Sequence, residues 1–361
     1  MRIPGITPAP IVAHAQAHAD VMADYFRRFS KPPTPEEFTR GTRYALEAWP
    51  EELHTLSVPS AGFQLTPAER EILPMVWGEF PIRKEYASAY ALWHNAEEAV
   101  ASMRADDGTA LLELPVIAQL IARTTDFIAT LPFSEPFFKL GTRSPKDSDL
   151  WTASSGRVRN GFDVILLAMS SARFFQDCAN AQNFAEHAAG KDPFEASMGP
   201  SRWKGDPNLI DYLPWFWFRE FRAFPKHSEF RCFMLNRTFA GGSQYHGINR
   251  KPNGPLLEVE AFPELVMRGY DYEAAIKAWF PRFEAVAPFD DAVFDVSVDL
   301  QNDDTVILIE TNPADKATFP GLKDWNAPES FNGEVDWAAD SWRNPEIRID
   351  AAALRAEPPR P

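Results

Sequence analysis

The chain has few cysteines and no long apolar run. Only Cys178 and Cys232 occur among its 361 residues. So few thiols exclude a disulfide-rich scaffold, and we expect free, buried thiols in a protein of the reducing cytoplasm. The sequence has no stretch of about 18 apolar residues, which excludes a transmembrane helix. Its first residues also lack the apolar core of a secretory signal, which fits a cytoplasmic location.

Positive charge is scarce as well. The chain has 36 Lys and Arg residues against 51 Asp and Glu residues, so its formal net charge is −15. This balance argues against broad nucleic-acid binding, which needs a cationic surface against phosphates. Hydrophobic residues make up 45% and aromatic residues 13% of the chain. Such a composition is typical of a folded globular protein.

The first part of the chain has the patterns of helices. Apolar residues recur at helical spacing over 11–29, 83–103 and 110–131. Two Thr-Pro-x-Glu segments, beginning at Thr34 and Thr66, combine a capping residue, a proline at the first helical position and a Glu three residues after the cap. We therefore predict a helical N-terminal region over residues 1–130.

The remainder predicts an α+β fold. Short runs rich in aromatic and β-branched residues are typical of strands, and one long helix is expected over 271–286. We assign a mixed unit to residues 131–325 and a polar tail to residues 326–361. The predicted strands cover 137–138, 164–167, 215–221, 229–235, 292–298 and 305–311.

One predicted hairpin opposes two carboxylates. Its polar residues 301–304 separate two strand-like runs. If the turn has four residues and is symmetric, Asp295 lies opposite Glu310, and Asn312 shares the face of Glu310 because side chains alternate along a strand. Opposed carboxylates repel, and a hard cation with oxygen ligands turns that repulsion into a binding site, here for Mg²⁺. In the alternative, an asymmetric turn shifts the register by one residue and directs one carboxylate to solvent.

Cationic side chains precede this hairpin. Lys139, Arg143 and Lys146 follow an aromatic strand and lie in or beside a loop of Gly, Ser and Pro, from which lysines can reach phosphate oxygens. The alternative is a solvated loop with ordinary surface charges. Further on, Arg231 lies on the charged face of a predicted strand. It either reaches a phosphate or pairs with Glu229.

Taken in order, these segments resemble the cell division cycle 123 family of ATP-grasp proteins, over residues 136–325. The specific parts are the run Glu229-Phe230-Arg231-Cys232-Phe233 and the pair formed by Asp295 with Glu310-Thr311-Asn312-Pro313. The supporting matches are Lys139-Leu140, Ser144-Pro145-Lys146-Asp147, Leu166-Leu167, Ser170-Ser171, Asp177, Arg219, Ser243-Gln244 and Trp325.

The resemblance implies an ATP-grasp-like fold that binds ATP and Mg²⁺. It implies Lys139 and Lys146 near the phosphates, with Ser144 in the same loop. It also implies Arg219 beside a purine-binding strand and Arg231 facing the nucleotide. The implied metal ligands are Asp295, Glu310 and Asn312.

The chain departs from the family pattern in ways that bear on its role. The family normally has Asp where Glu310 stands and an aromatic residue at Thr311, whereas Glu-x-Asn is the usual pair in ATP-grasp ligases. The family's Ser-Gln-Arg-Asp becomes Ser243-Gln244-Tyr245-His246, which leaves the partner or substrate open.

Two functions remain open at this point. The first is an ATP-dependent ligase or a phosphoryl or nucleotidyl transferase, acting on a protein or small-molecule acceptor. Its catalysis would rest on charge neutralisation by Mg²⁺ and by cations such as Lys146 and Arg231. The second is the role that the family implies, an ATP-dependent assembly chaperone for a translation factor. A third reading, a domain that has lost ATP binding and makes only protein contacts, is disfavoured by the full set of candidate residues.

Overall fold

The fold comes from a computed structural model, which describes residues 42–76, 114–171, 173–174, 177–178, 181, 213–250, 256–316 and 318–338. The helices predicted over 11–29 and 83–103, and the capping signal at Thr34, lie outside these residues. The chain forms two compact units. The first unit comprises Met1–Thr42 and Ser60–Phe221, and the second comprises Arg43–Pro59 and Arg222–Pro361.

Helices and strands are numbered along the described part of the chain. The helices are α1 (Glu51–His54), α2 (Pro67–Val76), α3 (Pro115–Ala129), α4 (Asp149–Ser154), α5 (Gly161–Met169) and α6 (Pro263–Val286). The strands are β1 (Ser60–Gln64), β2 (Pro136–Leu140), β3 (Trp215–Glu220), β4 (Glu229–Leu235), β5 (Thr238–Gln244), β6 (Ile248–Arg250), β7 (Leu256–Val259), β8 (Ala292–Asp299), β9 (Thr305–Asn312) and β10 (Val335–Asp336).

The first unit contains a three-stranded antiparallel sheet in the order β1-β3-β2. Phe216 and Phe218 of β3 lie on one face of the sheet because side chains alternate along a strand. That face packs with Phe138 of β2 and with buried residues of α2, α3 and α5 in one core. The opposite face carries Lys139 of β2 and Arg219 of β3.

The helix start predicted at Thr66 is confirmed. The Thr66 backbone N–H donates to Glu69 Oε2 at 2.7 Å, and the Glu69 N–H donates to Thr66 Oγ1 at 3.3 Å. This reciprocal pair satisfies two backbone donors that the first turn of α2 leaves without helical partners. Glu69 also accepts from Arg123 of α3 at 2.6 Å, which ties the two helices together.

The strand predicted over 164–167 is wrong, because these residues belong to helix α5. Asn160 caps the helix by accepting from the Asp163 N–H at 3.0 Å. Every residue from Asp163 to Met169 is buried, so the apolar run has no polar side that would reveal a helical period. The backbone of Gly161 approaches α3 so closely that a Cβ there would lie 2.0 Å from the Ile121 carbonyl oxygen. Strand β1 lies within the region predicted to be helical.

The second unit contains a five-stranded sheet in the order β10-β5-β4-β8-β9. Only the pair of β10 with β5 is parallel. Strands β4, β8 and β9 follow the predicted ranges to within one residue. Helix α6, which contains the predicted 271–286, packs on one face, where the Phe283 and Phe294 rings stack with centroids 4.3 Å apart. The short hairpin β6-β7 forms a separate pair.

Strand β9 lies at the end of this sheet, and residues 43–59 contact its outer side. The Leu308 N–H donates to the Leu56 carbonyl at 2.8 Å, and Ser57 forms a parallel bridge with Leu308. These contacts pair backbone groups of β9 that would otherwise be unpaired at the edge of the sheet.

Each unit contains one of the two cysteines. Cys178 and Cys232 are both buried and free, as expected from the sequence. Burial raises the pKa of both thiols well above the ordinary value. No helix within the described ranges is both long and apolar enough to span a membrane.

Candidate functional site

A row of polar side chains crosses the sheet of the second unit, one from each strand. Pairing partners on adjacent strands share a face of the sheet. The register places Asp336 beside Ser243, Ser243 beside Arg231, Arg231 beside Asp295, and Asp295 beside Glu310. This polar row lies on the face opposite the one that contacts α6.

The predicted opposition of Asp295 and Glu310 is confirmed, but its cause differs from the prediction. Near the turn Asp299 pairs with Thr305, so the loop has five residues and is not the assumed symmetric turn of four. A register shift then occurs between Asp295 and Val296, with Ile309 as the extra residue of β9. This bulge moves Glu310 from the apolar face to the face of Asp295.

The Asp295 carboxylate is buried and forms a two-pronged ion pair with Arg231. Arg231 Nε donates to Oδ1 at 2.8 Å and Nη2 donates to Oδ2 at 2.7 Å. Nη2 also lies 3.9 Å from Glu310 Oε1. Arg231 thus balances the charge of Asp295 and lies close enough to Glu310 to weaken the repulsion between the two carboxylates. The alternative ion pair of Arg231 with Glu229 does not form. Glu229 Oε1 instead lies 3.1 Å from His246 Nε2.

The electrostatics of this pair reflect its burial. Burial raises the pKa of Asp295, Arg231 lowers it, and the nearby Glu310 raises it again, so the net pKa is about 6. Burial lowers the pKa of Arg231, but its pairing with Asp295 outweighs this and raises it overall. The guanidinium therefore remains charged, and its loss would leave a buried carboxylate uncompensated.

Asn312 lies one pair further along the same face, opposite Val293. Its buried Nδ2 atom has no hydrogen-bond partner. Because the two ends of a carboxamide are assigned from their partners, rotating this group would direct its oxygen to the same place. Two carboxylates and one amide oxygen are the donors that Mg²⁺ accepts in proteins. The residues therefore fit a magnesium ion, although among the described residues no three His, Cys, Asp or Glu side chains form a metal-binding group.

The segment between Asn312 and β10 covers part of this face. Arg231 Nη1 donates to the Phe319 carbonyl at 2.8 Å, and the Leu322 N–H donates to Ser243 Oγ at 2.8 Å. Gly321 adopts a φ of +65°, and a Cβ there would lie 2.4 Å from Ser243 Oγ. A glycine is therefore required for this close approach.

A buried ion pair in the same segment has no signal in the sequence. Lys323 is fully buried, and its Nζ lies 2.9 Å from Asp336 Oδ2 and 3.2 Å from Asn332 Oδ1. The sequence places Asp336 in a polar tail because no local pattern links it to Lys323.

In the first unit, Lys139 and Arg219 lie on one face of the sheet. Lys139 pairs with Trp217, and Arg219 pairs with Phe137, so the two cations are diagonal neighbours on the face opposite the core. Both are buried. The sheet therefore brings these two predicted site residues together on one face, although no pattern in the sequence indicates that they are neighbours.

The loop after β2 carries Ser144, which is buried, and Lys146, which is exposed. Two carboxylates fix this loop. Asp147 accepts from Ser171 Oγ at 2.6 Å, and Asp177 accepts from Thr142 Oγ1 at 2.6 Å. Asp177 also forms an ion pair with Arg143, whose Nε lies 3.1 Å from Oδ2.

These contacts give a role to Asp147, Ser171 and Asp177, which the sequence offered only as matches to a family pattern. The loop is thus held in place and is not simply solvated. Arg143, one of the three predicted cations, serves this anchoring.

Solved structures share this mixed α+β fold with several sheets. The chain is similar to Cdc123 from Schizosaccharomyces pombe, with a TM-score of 0.51 and 18% identity over 82% of this chain and 97% of that one. For C-terminally truncated Cdc123 from the same organism the TM-score is 0.51 and the identity 19%, over 82% and 96% of the two chains. The D123 family model matches residues 83–351. The chain therefore belongs to the D123 (Cdc123) family. No curated protein matches it.

Proposed function

We propose that this chain binds ATP and Mg²⁺ in an ATP-grasp-like fold. The observation that carries the proposal is the placement of Asp295, Glu310 and Asn312 on one face of a sheet, in a member of the Cdc123 family. Three oxygen donors there suit a cation that also takes phosphate oxygens.

The chain's cations have matching roles in this proposal. Lys139 and Lys146 neutralise phosphate charge, and Arg231 does so from the polar row. Ser144 would provide a hydroxyl group in the loop that carries Lys146. Arg219 would lie beside the strand that binds the purine. Asp295, Glu310 and Asn312 would hold the magnesium ion, and its charge would reduce the phosphate charge that the side chains must offset.

We further propose that the ATP-bound protein acts as an assembly chaperone for a protein partner. Membership of the Cdc123 family supports this role. The ligase or transferase function is supported only by the Glu-x-Asn pair. The family's role in assembling translation initiation factor two makes a translation factor the first partner to test. In this role ATP shapes a binding surface, and the neutralising action of Lys146 and Arg231 serves binding.

The central test measures melting with and without ligand. ATP with Mg²⁺ should raise the melting temperature, because a ligand that binds only the folded state stabilises it. The variant Asp295→Asn with Glu310→Gln should lose the magnesium-dependent part of the shift while its circular dichroism stays unchanged.

Arg237→Met, which breaks a different ion pair of the second unit, controls for a general change of charge. If wild-type protein shows neither a shift in melting nor a calorimetric heat with ATP and Mg²⁺, the proposal is wrong. An unchanged shift in the double variant would reject the assigned ligands alone.

A further inference from the structure

The guanidinium of Arg231 lies beside both carboxylates of the hairpin, the two charged groups proposed to hold the metal ion. It binds both oxygens of Asp295, at 2.8 and 2.7 Å, and lies 3.9 Å from Glu310. Asp295 is buried and Glu310 is partly buried, and the nearby charge of Arg231 reduces the repulsion between them. The chain therefore supplies its own cation at the proposed metal site.

This arrangement sets Arg231 and a divalent cation in competition. A cation held by Asp295 and Glu310 would lie beside the guanidinium, and like charges at such short range repel strongly where water is scarce. Both would also draw on the same carboxylate oxygens. The ion pair with Arg231 therefore weakens metal binding by Asp295, and opening that pair strengthens it.

Arg231 has two further contacts that do not depend on Asp295. Its Nη1 donates to the Phe319 carbonyl at 2.8 Å, and its guanidinium lies 5.0 Å from the centre of the Tyr245 ring. These contacts keep the group at the sheet when the ion pair opens. What the guanidinium then needs is another anion, since a charged group in this buried place must be paired.

We propose that Arg231 blocks the metal site until nucleotide arrives, and that phosphate oxygens then take over Arg231 and release Asp295 to the metal ion. The inference rests on the proposed binding of ATP and Mg²⁺ and adds an order to it. The site binds a free divalent cation weakly and binds one more tightly together with a nucleoside triphosphate. Arg231 acts here as a positioning residue for the metal ligand.

The first test measures binding of Mn²⁺ alone, a Mg²⁺ substitute that paramagnetic resonance detects directly. In the full chain without nucleotide, Arg231→Met should bind Mn²⁺ at least about tenfold more tightly than wild type, because the competing cation is gone. Arg237→Met is the matched control, since it removes an arginine from a pair with Glu284 in the same unit. It should leave Mn²⁺ binding unchanged. Equal Mn²⁺ affinity in Arg231→Met and wild type would overturn the inference.

A second test approaches the pair from the other side and does not need Arg231→Met to fold. Without metal, Asp295→Asn should bind ATP more tightly than wild type, by at least about fivefold, because Arg231 is free for phosphate. Glu310→Gln removes the same charge from a carboxylate that lacks the two-pronged pair, so its effect should be smaller. Equal gains in the two variants would reject the role of the ion pair.

These outcomes separate the inference from the proposal beneath it. If wild-type protein fails to bind ATP with Mg²⁺, the proposed function is wrong. If it binds them while Mn²⁺ affinity in Arg231→Met and metal-free ATP affinity in Asp295→Asn stay at wild-type values, only the blocking role is wrong.

Discussion

Thr311 stands between two of the proposed metal ligands, at a position where the family normally has an aromatic residue. It pairs with Phe294 and therefore faces away from the polar row. Its hydroxyl accepts from Trp49 Nε1 at 2.9 Å and donates to the Tyr44 carbonyl at 2.9 Å. The departure from the family pattern thus serves the contact between β9 and the segment 43–59. It does not alter the candidate site.

Replacing Thr311 by valine tests this role. Thr311→Val keeps the shape but leaves the buried indole N–H and the carbonyl with poorer partners, so the free energy of unfolding should fall by about 1–2 kcal/mol. Urea unfolding measures the change, and Thr311→Ser, which keeps the hydroxyl, should lose less. The magnesium-dependent melting shift should stay. Equal losses in the valine and serine variants would contradict the hydrogen-bond account.

At the scale of elements, the loop between β2 and α4 depends on distant anchors. Asp147 and Asp177 accept hydrogen bonds that fix both ends of the loop carrying Ser144 and Lys146. A loop held in one conformation loses less entropy when it binds a ligand. If the proposed ATP site is correct, we expect the anchors to contribute to affinity without touching the nucleotide.

Asp177→Ala should loosen this loop. Backbone amides in 141–148 should exchange hydrogen faster, and ATP affinity should fall by about two- to fivefold, the range of a partly exposed ion pair. Hydrogen–deuterium exchange and calorimetry measure the two effects. Asp126→Ala, at an exposed carboxylate of α3, is the control and should change neither. Loss of ATP affinity without faster exchange in the loop would argue against an anchoring role.

Elements with a clear local pattern could be predicted from the sequence, and those defined by distant contacts could not. Strands β4, β8 and β9 alternate or carry β-branched residues, so their ranges follow from composition. Helix α5 resembles a strand in sequence because its residues are buried on all sides. Strand β1 is a short run, Ser60–Gln64, with little β-branched character, and its pairing partner β3 lies over 150 residues further along the chain.

The candidate site shows the same division. Two errors cancel in placing Asp295 opposite Glu310, because the five-residue loop and the bulge at Ile309 together give the register that a symmetric turn would have given. The pairing of Arg231 with Asp295 joins strands 64 positions apart, and no spacing rule reveals it. The candidate metal ligands can therefore be predicted from local sequence, whereas their partner Arg231 is evident only from the pairing of strands in the sheet.

At the scale of the whole molecule, family membership bears on what the protein would do with the proposed ATP. An assembly chaperone needs ATP to shape a surface, whereas a ligase must consume it. The two roles predict different fates for the nucleotide in the same protein.

Labelled ATP distinguishes these fates. With Mg²⁺ and a candidate translation-factor subunit, we expect stoichiometric ATP binding and complex formation, with release of ADP, AMP or pyrophosphate far below one turnover per second, a low value for an enzyme. Thin-layer separation of the products measures this. The control is the Asp295→Asn, Glu310→Gln variant, which should lose the magnesium-dependent part of ATP binding and release no product. Rapid, acceptor-dependent release of AMP or ADP would instead show that the protein is a ligase or transferase.

Because each unit contains one buried cysteine, the reactivity of the two thiols can report local opening of each unit separately. A thiol that is fully buried and has a raised pKa reacts with an alkylating reagent only when its surroundings open. Cys178→Ser leaves a single label site in the second unit, and Cys232→Ser leaves one in the first. Comparing the two labelling rates, with and without ATP and Mg²⁺, would tell which unit the ligand holds closed. We expect Cys232, beside Arg231, to be the more strongly protected.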